Sequence, residues 1–258
     1  EGTLDAHGGW WDATGDYGKH LSHLSFSTYF NPQQIPLVAY SLFKSYELMN
    51  ARAVPSFARY KTRALDEAMY GADYLVRLKN PQGSFYRSIS NGGVDQKAEE
   101  RKVSGEMKKY GIFQSKDKAP TEMVQQASND REFEVSYRSG GGMAIAVLAM
   151  ASSYPISGEF KNADYLKAGE DGFAYLEKNN ARMTNDGKDN IVDDYCALAA
   201  ATELYRATKK AEYKAAADHR AANLVGRLMS SGEFHDYWRA DHHDRPDGAD
   251  DGTRPGRG

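Results

Sequence analysis

Apolar residues recur at steps of three and four over most of the 258-residue chain, the period that places side chains on one face of an α-helix. Ile35, Val38, Ala39, Leu42, Tyr46 and Met49 predict a helix over about 34–50. Phe57, Tyr60, Ala64, Leu65, Ala68, Ala72, Leu75 and Leu78 predict a second over 56–79, stopped by Asn80-Pro81 and Gly83. Gly140-Gly141-Gly142 opens a nearly continuous apolar run to Ala151, which predicts a helix buried on every side. Three more patterns follow at short intervals: 161–178 with Leu166, Phe173 and Leu176; 191–207 with Ile191, Tyr195, Leu198 and Tyr205; and 211–229 with Ala217, Ala221, Val225 and Leu228. Six helices in consecutive pairs predict an all-α fold of stacked helical hairpins. A toroid suits the mixed pattern, with small apolar inner helices and the site on loops at one end. No repeat of fixed length with repeating identities is present, which argues against a tetratricopeptide-like array.

Two stretches break the pattern. Residues 81–136 lack sustained periodicity, and loops of that length in compact domains are often functional. Within them Ser84–Ser90 (SFYRSIS) alternates as a short strand does, while 97–118 is charged and expected to be solvated. The tail 240–258 holds five Asp, four Gly, three Arg and two Pro. It has too little apolar surface to offset ordering entropy, so it is expected to be disordered, with one domain over 1–239.

Charge narrows the function classes. With 33 Lys+Arg against 36 Asp+Glu, a net charge of -3 and no long basic block, a nucleic-acid partner is not supported. No apolar run approaches the roughly 20 residues that span a bilayer, and no charged n-region with an apolar h-region opens the chain. A membrane partner is not expected. The first residue is Glu1, so a leader or preceding segment is expected to have been removed or left out, and localisation cannot be read. Cys196, the single cysteine, excludes an internal disulfide and reads as a small core residue among Ala and Leu.

The chemistry concentrates in Gly8–Lys19, GGWWDATGDYGK. Its four glycines permit positive φ and disfavour a regular helix, so the segment reads as a folded loop. Asp12 and Asp16 on such a loop can converge on one water, one carboxylate taking the proton while the other fixes the orientation. Trp10, Trp11 and Tyr17 offer flat faces with polar edges that suit the C–H faces of a sugar ring. The plainer alternative has the acids capping turns and the tryptophans filling core.

Other residues carry weaker signals. Tyr29, before Asn31-Pro32, either lines a sugar subsite or packs in the core, and Tyr86 on the short strand is a stacking candidate. Arg138 either contacts a substrate hydroxyl or pairs with an acid such as Glu134. His20 and His23, three apart, have no third ligand spaced nearby, so core and surface roles are favoured over a metal pair. Asp186, Asp189, Asp193 and Asp194 do not follow a calcium-loop spacing, and Asp189 or Asn190 is expected to cap the next helix. His235, Asp236 and the acid–His run 241–244 read as incidental in a polar tail. Neither a metal nor a cofactor is expected.

GGWWDATGDYGK resembles the signature loop of glycoside hydrolase family 9, Gly-Gly-Trp-aromatic-Asp-Ala-Gly-Asp followed by an aromatic or His and a Lys. SYRSGGGMAIAVLAMAS (136–152) and DNIVDDYCALAAATELYRAT (189–208) are similar to inner-helix segments of that family. The likeness covers roughly 5–239. It implies an (α/α)6 barrel, incomplete in this chain. It also implies inverting hydrolysis of β-1,4-glycosidic bonds in glucan or cello-oligosaccharide substrates, glucosamine-containing ones among them. By the same resemblance Asp16 is the general base and Asp12 its water-holding partner. On their own chemistry Trp10, Trp11, Tyr17, Tyr29, Tyr86 and Arg138 are the expected substrate contacts. Inversion requires an acid about 6.5–9.5 Å from the base. The family's acid is a Glu beyond the last hairpins, and the resemblance assigns that role neither to Glu132 nor to Glu134. Thr14 is an additional residue between the two acids. The alternative is a non-catalytic or vestigial carbohydrate-binding fragment. The oligomeric state is not readable.

Overall fold

The computed structural model of the chain describes residues 2–10, 34–89, 97, 103–104, 133–184 and 187–239. Among these, six α-helices dominate: α1 Gln34–Arg52, α2 Ala58–Arg77, α3 Gly142–Ala151, α4 Asn162–Met183, α5 Ile191–Thr208 and α6 Ala211–Gly226. They pack as three hairpins, α1 on α2, α3 on α4 and α5 on α6, with α3 also against α5 and α1. No helix among the described residues is long and apolar enough to cross a membrane.

The periodicity is realised with local shifts of phase. On α1 the buried stripe is Ile35, Ala39 and Phe43, four apart, while Val38 faces solvent. On α2 the buried face runs from Ala64 to Leu75, and Tyr60 is exposed. All ten residues of α3 are buried, which identifies it as an inner helix. Two glycines explain how it gets there. Gly140 has φ 121°, and the single turn of π-helix Tyr137–Gly141 that contains it leads the chain into α3. A Cβ on Gly142 would lie 2.6 Å from the Cys196 carbonyl oxygen and 2.7 Å from Cys196 Cβ, so glycine lets α3 and α5 approach backbone to backbone. Cys196 is fully buried there, and burial pushes its thiol well above the ordinary range.

The expected strand over 84–90 takes the form of short ladders. Phe85 pairs with Lys79, Tyr86 pairs with Glu134, and β1 Ser88–Ile89 pairs antiparallel with β2 Val103–Ser104. The helix expected over 211–229 ends earlier. Gly226 closes α6, and β3 Leu228–Ser231 turns through Gly232, φ 60°, into β4 Phe234–Trp238. The apolar pair Leu228-Met229 continues the helical phase by coincidence, and Gly232 sets the hairpin turn. The charged stretch 98–102 and 105–118 and the tail 240–258 lie outside the described residues, Lys97 and 103–104 apart.

The inner helices run the same way. At their C-terminal ends Lys44 Nζ of α1 lies 2.6 Å from Glu203 Oε1 of α5, Arg206 meets Glu47 at 2.9 Å, and the Tyr154 hydroxyl beyond α3 donates to Glu47 at 3.5 Å. A cavity of about 540 Å³ lies among them. At the other end, the approach to α3 meets the start of α5 through Arg138 and Asp193. The N-terminal ends of α1, α3 and α5 therefore lie at one end of the described structure.

Candidate active site

The residues that precede the acid pair in sequence pack against α2. Gly8 and Gly9 have φ 97° and 71°, left-handed values that glycine adopts freely. A side chain on Gly8 would meet Arg77 Nη1 at 3.5 Å and Tyr74 Cβ at 3.7 Å, so the backbone passes close over the last turns of α2. Trp10 continues along the same helix, its indole Nε1 donating to Glu67 Oε2 at 3.2 Å and its ring set edge-on to Tyr70 at 5.8 Å. Upstream, His7 Nδ1 and Asp5 Oδ1 are 2.7 Å apart, Arg77 Nε lies 3.5 Å from Asp5, and Arg77 pairs with Glu159. Hydrogen bonding to His7 holds the Asp5 carboxyl below its usual range, and the same bond raises the His7 imidazole. Asp12, Asp16, Trp11, Tyr17, Tyr29, Thr14, His20 and His23 lie outside the described residues.

Under the starts of α3 and α5 sits a buried polar floor. Asp193 is fully buried and accepts from Arg138 N at 3.1 Å, Arg138 Nη1 at 3.3 Å, Asn180 Nδ2 at 3.0 Å and Asn190 N at 3.0 Å. Burial pushes its carboxyl up, against the pull of Arg138 and these donors. Its neighbour Asp194 accepts from Arg227 Nε and Nη2 at 3.0 and 2.8 Å, from Arg220 at 3.2 Å and from Asn223 at 3.0 Å. Arg220 also reaches Asp189 at 3.1 Å and Glu177 at 2.9 Å and lies over the Tyr137 ring. Burial, reinforced by Glu177, drives the Tyr137 hydroxyl well above the ordinary phenol range. Each of these charges faces an opposite one, so the cluster fixes helix ends rather than exchanging protons.

The floor bears out one expectation drawn from the sequence. Asn190 is the cap of α5, its Oδ1 accepting from Val192 N at 2.8 Å and Asp193 N at 3.4 Å. Asp189, Asp193 and Asp194 are engaged by Arg and Asn, and among the described residues no group of His, Cys, Asp and Glu is placed to hold a metal ion. Arg138 is buried at 5% exposure and its carboxylate partner is Asp193. Glu134, the acid suggested by proximity in sequence, instead holds the 80–84 turn: it takes the Ser84 amide at 3.0 Å and the Asn80 side-chain amide.

Tyr86 stands half-buried at the same end. Its amide donates to Leu78 O at 2.8 Å, and Phe85, on the opposite face, is fully buried against the core. Nearby Lys79 donates to the carbonyls of Asn80 and Gly83, and burial lowers its ammonium despite Asp171 and Glu134. Asn180 on α4, and Arg220 and Arg227 on α6 and at its C-terminal cap, carry no sequence signal, since the contacts of the two arginines with Asp194 span 26 and 33 residues.

Comparisons with known proteins agree with this architecture. Solved structures of GH family 9 endoglucanase J30 and of its zinc-binding triple mutant each superpose with a TM-score of 0.54 at 21% identity, covering 90% of this chain and 40% of theirs. An endoglucanase from the termite Nasutitermes takasagoensis superposes with a TM-score of 0.53 at 17% identity, covering 91% of this chain and 49% of its own. The chain thus spans less than half the length of these structures, and its helices form part of an (α/α)6 barrel. No curated protein matches the sequence. The model of the family described as glycosyl hydrolase family 9 matches residues 1–245, nearly the whole chain, and the chain belongs to that family.

Proposed function

We propose that the chain supplies the water-activating half of an inverting β-1,4-glycosidase. Asp16 is the general base and Asp12 orients the water it deprotonates. The observation that carries this reading is the family match over residues 1–245 together with the acid pair inside GGWWDATGDYGK. The placement of neighbouring parts supports it. The acids precede α1 in the chain, and α1, α3 and α5 all begin at one end, where helix N-termini carry partial positive charge that favours ionised carboxylates. Trp11, Tyr17, Tyr29 and Tyr86 are sugar contacts in this reading. The substrate is a β-1,4-linked glucan or its short oligomers, in keeping with the endoglucanases the fold superposes on. Glucosamine-containing oligomers are the competing substrate class.

The test is reducing-sugar release from β-1,4-linked glucose and glucosamine oligomers by the wild-type chain, Asp16→Asn and Asp12→Asn. Turnover abolished by Asp16→Asn, reduced by Asp12→Asn and yielding the α-anomer first supports the reading. Turnover insensitive to Asp16→Asn, or a β-anomeric first product, rejects it. Binding measured by calorimetry without any turnover favours a non-catalytic carbohydrate-binding fragment.

A further inference from the structure

The end of the described structure where α1, α3 and α5 finish holds the cavity of about 540 Å³, a volume within the usual range of small-molecule pockets. Its charged lining is balanced, Glu47 and Glu203 standing against Arg206 and Lys209. Glu203, 5% exposed in its side chain, holds Lys44 at 2.6 Å and Arg206 at 2.8 Å, and Glu47 takes Arg206 at 2.9 Å. Lys44 also offsets the partial negative charge of the three helix C-termini. The field there favours neither an anion nor a cation. Open hydrogen-bonding groups remain beside the ion pairs. Arg206 makes three hydrogen bonds, to Glu203 and Glu47, fewer than its guanidinium can donate. Asn50 accepts from Lys61 at 3.1 Å through Oδ1, and among the described residues neither its Nδ2 nor the Tyr46 hydroxyl has an acceptor. Ser153 donates to Ala149 O at 3.2 Å and keeps a lone pair for a further donor. Apolar surface lies between these groups: Tyr154 stacks on Phe43 at 5.2 Å with Tyr46 perpendicular to it at 5.3 Å, and Met150 and Ala51 complete the wall.

We propose that this cavity is a ligand site for a neutral polyhydroxylated ring of the size of a mono- or disaccharide. Such a ligand has C–H faces that lie on aromatic and aliphatic surface, and hydroxyls, each both donor and acceptor, that bridge the open groups of Arg206, Asn50, Tyr46 and Ser153. A charged ligand would have to displace one member of an ion pair, and a wholly apolar one would desolvate these polar groups without replacing their hydrogen bonds. The ion pairs and the Phe43–Tyr154 stack hold the lining in place before a ligand arrives, which lowers the cost of binding. Because α1, α3 and α5 all contribute, occupancy ties the three inner helices together and raises the melting temperature. None of the lining residues belongs to GGWWDATGDYGK, so the site stands apart from the hydrolase reading.

The probe is a β-1,4-linked glucose dimer, titrated into the chain with methyl NMR of the methionines and thermal melting as readouts. Met150 lines the cavity, whereas Met143 lies at the start of the same helix. The Met150 signal moves saturably with a dissociation constant of about 1 mM or below, Met143 stays still, and the melting temperature rises. Asn50→Leu and Tyr46→Phe each weaken binding about 10-fold. Ala51→Trp, which fills the cavity from an exposed helical position, abolishes it. Sorbitol, phosphate and putrescine, as open-chain, anionic and cationic controls, give no saturable shift. A Met150 signal that ignores the glucose dimer, binding unchanged by Ala51→Trp, or saturation by one of the controls in place of the sugar overturns the proposal. If Ala51→Trp does not fold, Asn50→Leu and Tyr46→Phe decide, and binding unchanged in both overturns it. Turnover of oligomers without a Met150 response removes this proposal alone; a Met150 response without turnover removes the hydrolase reading alone.

Discussion

Asp194→Ala is the sharpest probe of the polar floor. Asp194 and Arg227 are each 1% exposed in their side chains and lie 2.8 Å apart, and the same carboxylate serves Arg220 and Asn223. Deleting one partner of a buried ion pair costs about 3–5 kcal/mol, because the opposite charge loses its counterion in a poorly solvated place. For a chain of this size each kcal/mol lowers the midpoint by about 2–4 °C, so Asp194→Ala should melt about 6–20 °C lower. Arg227→Met is milder, at about 1–3 kcal/mol, since Asp194 keeps Arg220 and Asn223. The double variant should cost less than the two singles together by about 1–3 kcal/mol, the coupling expected of groups in direct contact. Urea unfolding followed by far-UV circular dichroism on the four proteins of the cycle measures all three quantities. A loss below about 1 kcal/mol for Asp194→Ala, or additivity within about 0.5 kcal/mol, would refute the argument that this pair ties α6 to the start of α5.

Two other expectations test separate parts of the molecule. Gly142→Ala forces its Cβ to within 2.6 Å of the Cys196 carbonyl and should destabilise by about 1–3 kcal/mol through overpacking, whereas Gly226→Ala, with nothing within 4 Å, should be neutral or stabilising by up to about 1 kcal/mol; equal effects in a thermal melt would contradict the claimed close approach of α3 and α5. The His7–Asp5 clasp gives a pH dependence with two limbs. His7 has its folded pKa raised above 6.5, so its contribution is complete below that value and disappears as pH rises through the folded pKa. Asp5 has its pKa lowered below 3.8, so its contribution is lost as pH falls through that lower value. NMR titration of the His7 ring and of amide exchange over residues 5–10 should show protection between the two limits, and His7→Gln should erase the upper limb.

Helix positions were legible because one-sided burial forces a period on the sequence. The phase of that period was harder to read. Val38 and Tyr60 fit the apolar rhythm yet are 43% and 64% exposed, while Phe43, four residues beyond Ala39, occupies the core. Apolar identity marks where a face can be buried, and the neighbouring helix decides which face is. Asn190 was readable as a cap because capping is local: a short side chain meets amides two and three residues ahead. The rest of the floor was not, since Asp193 meets Asn180 across 13 residues and Asp194 meets Arg227 across 33. Contacts of that separation exist only after the helices have packed.

The same distinction explains how the candidate site divides between chemistry and support. A motif such as GGWWDATGDYGK is visible in sequence because its acids, glycines and aromatic residues are contiguous in the chain. Gly71 and Glu67 on α2 have no signature beyond an ordinary amphipathic helix, yet they receive the tryptophan that precedes the acids. Asp193 and Arg138 join the entries of α3 and α5. Small residues at Gly71 and Gly142 set both distances, one between a loop and a helix, the other between two inner helices. Close packing at both places therefore depends on positions where a side chain is missing, and substitutions there should destabilise the fold through overpacking.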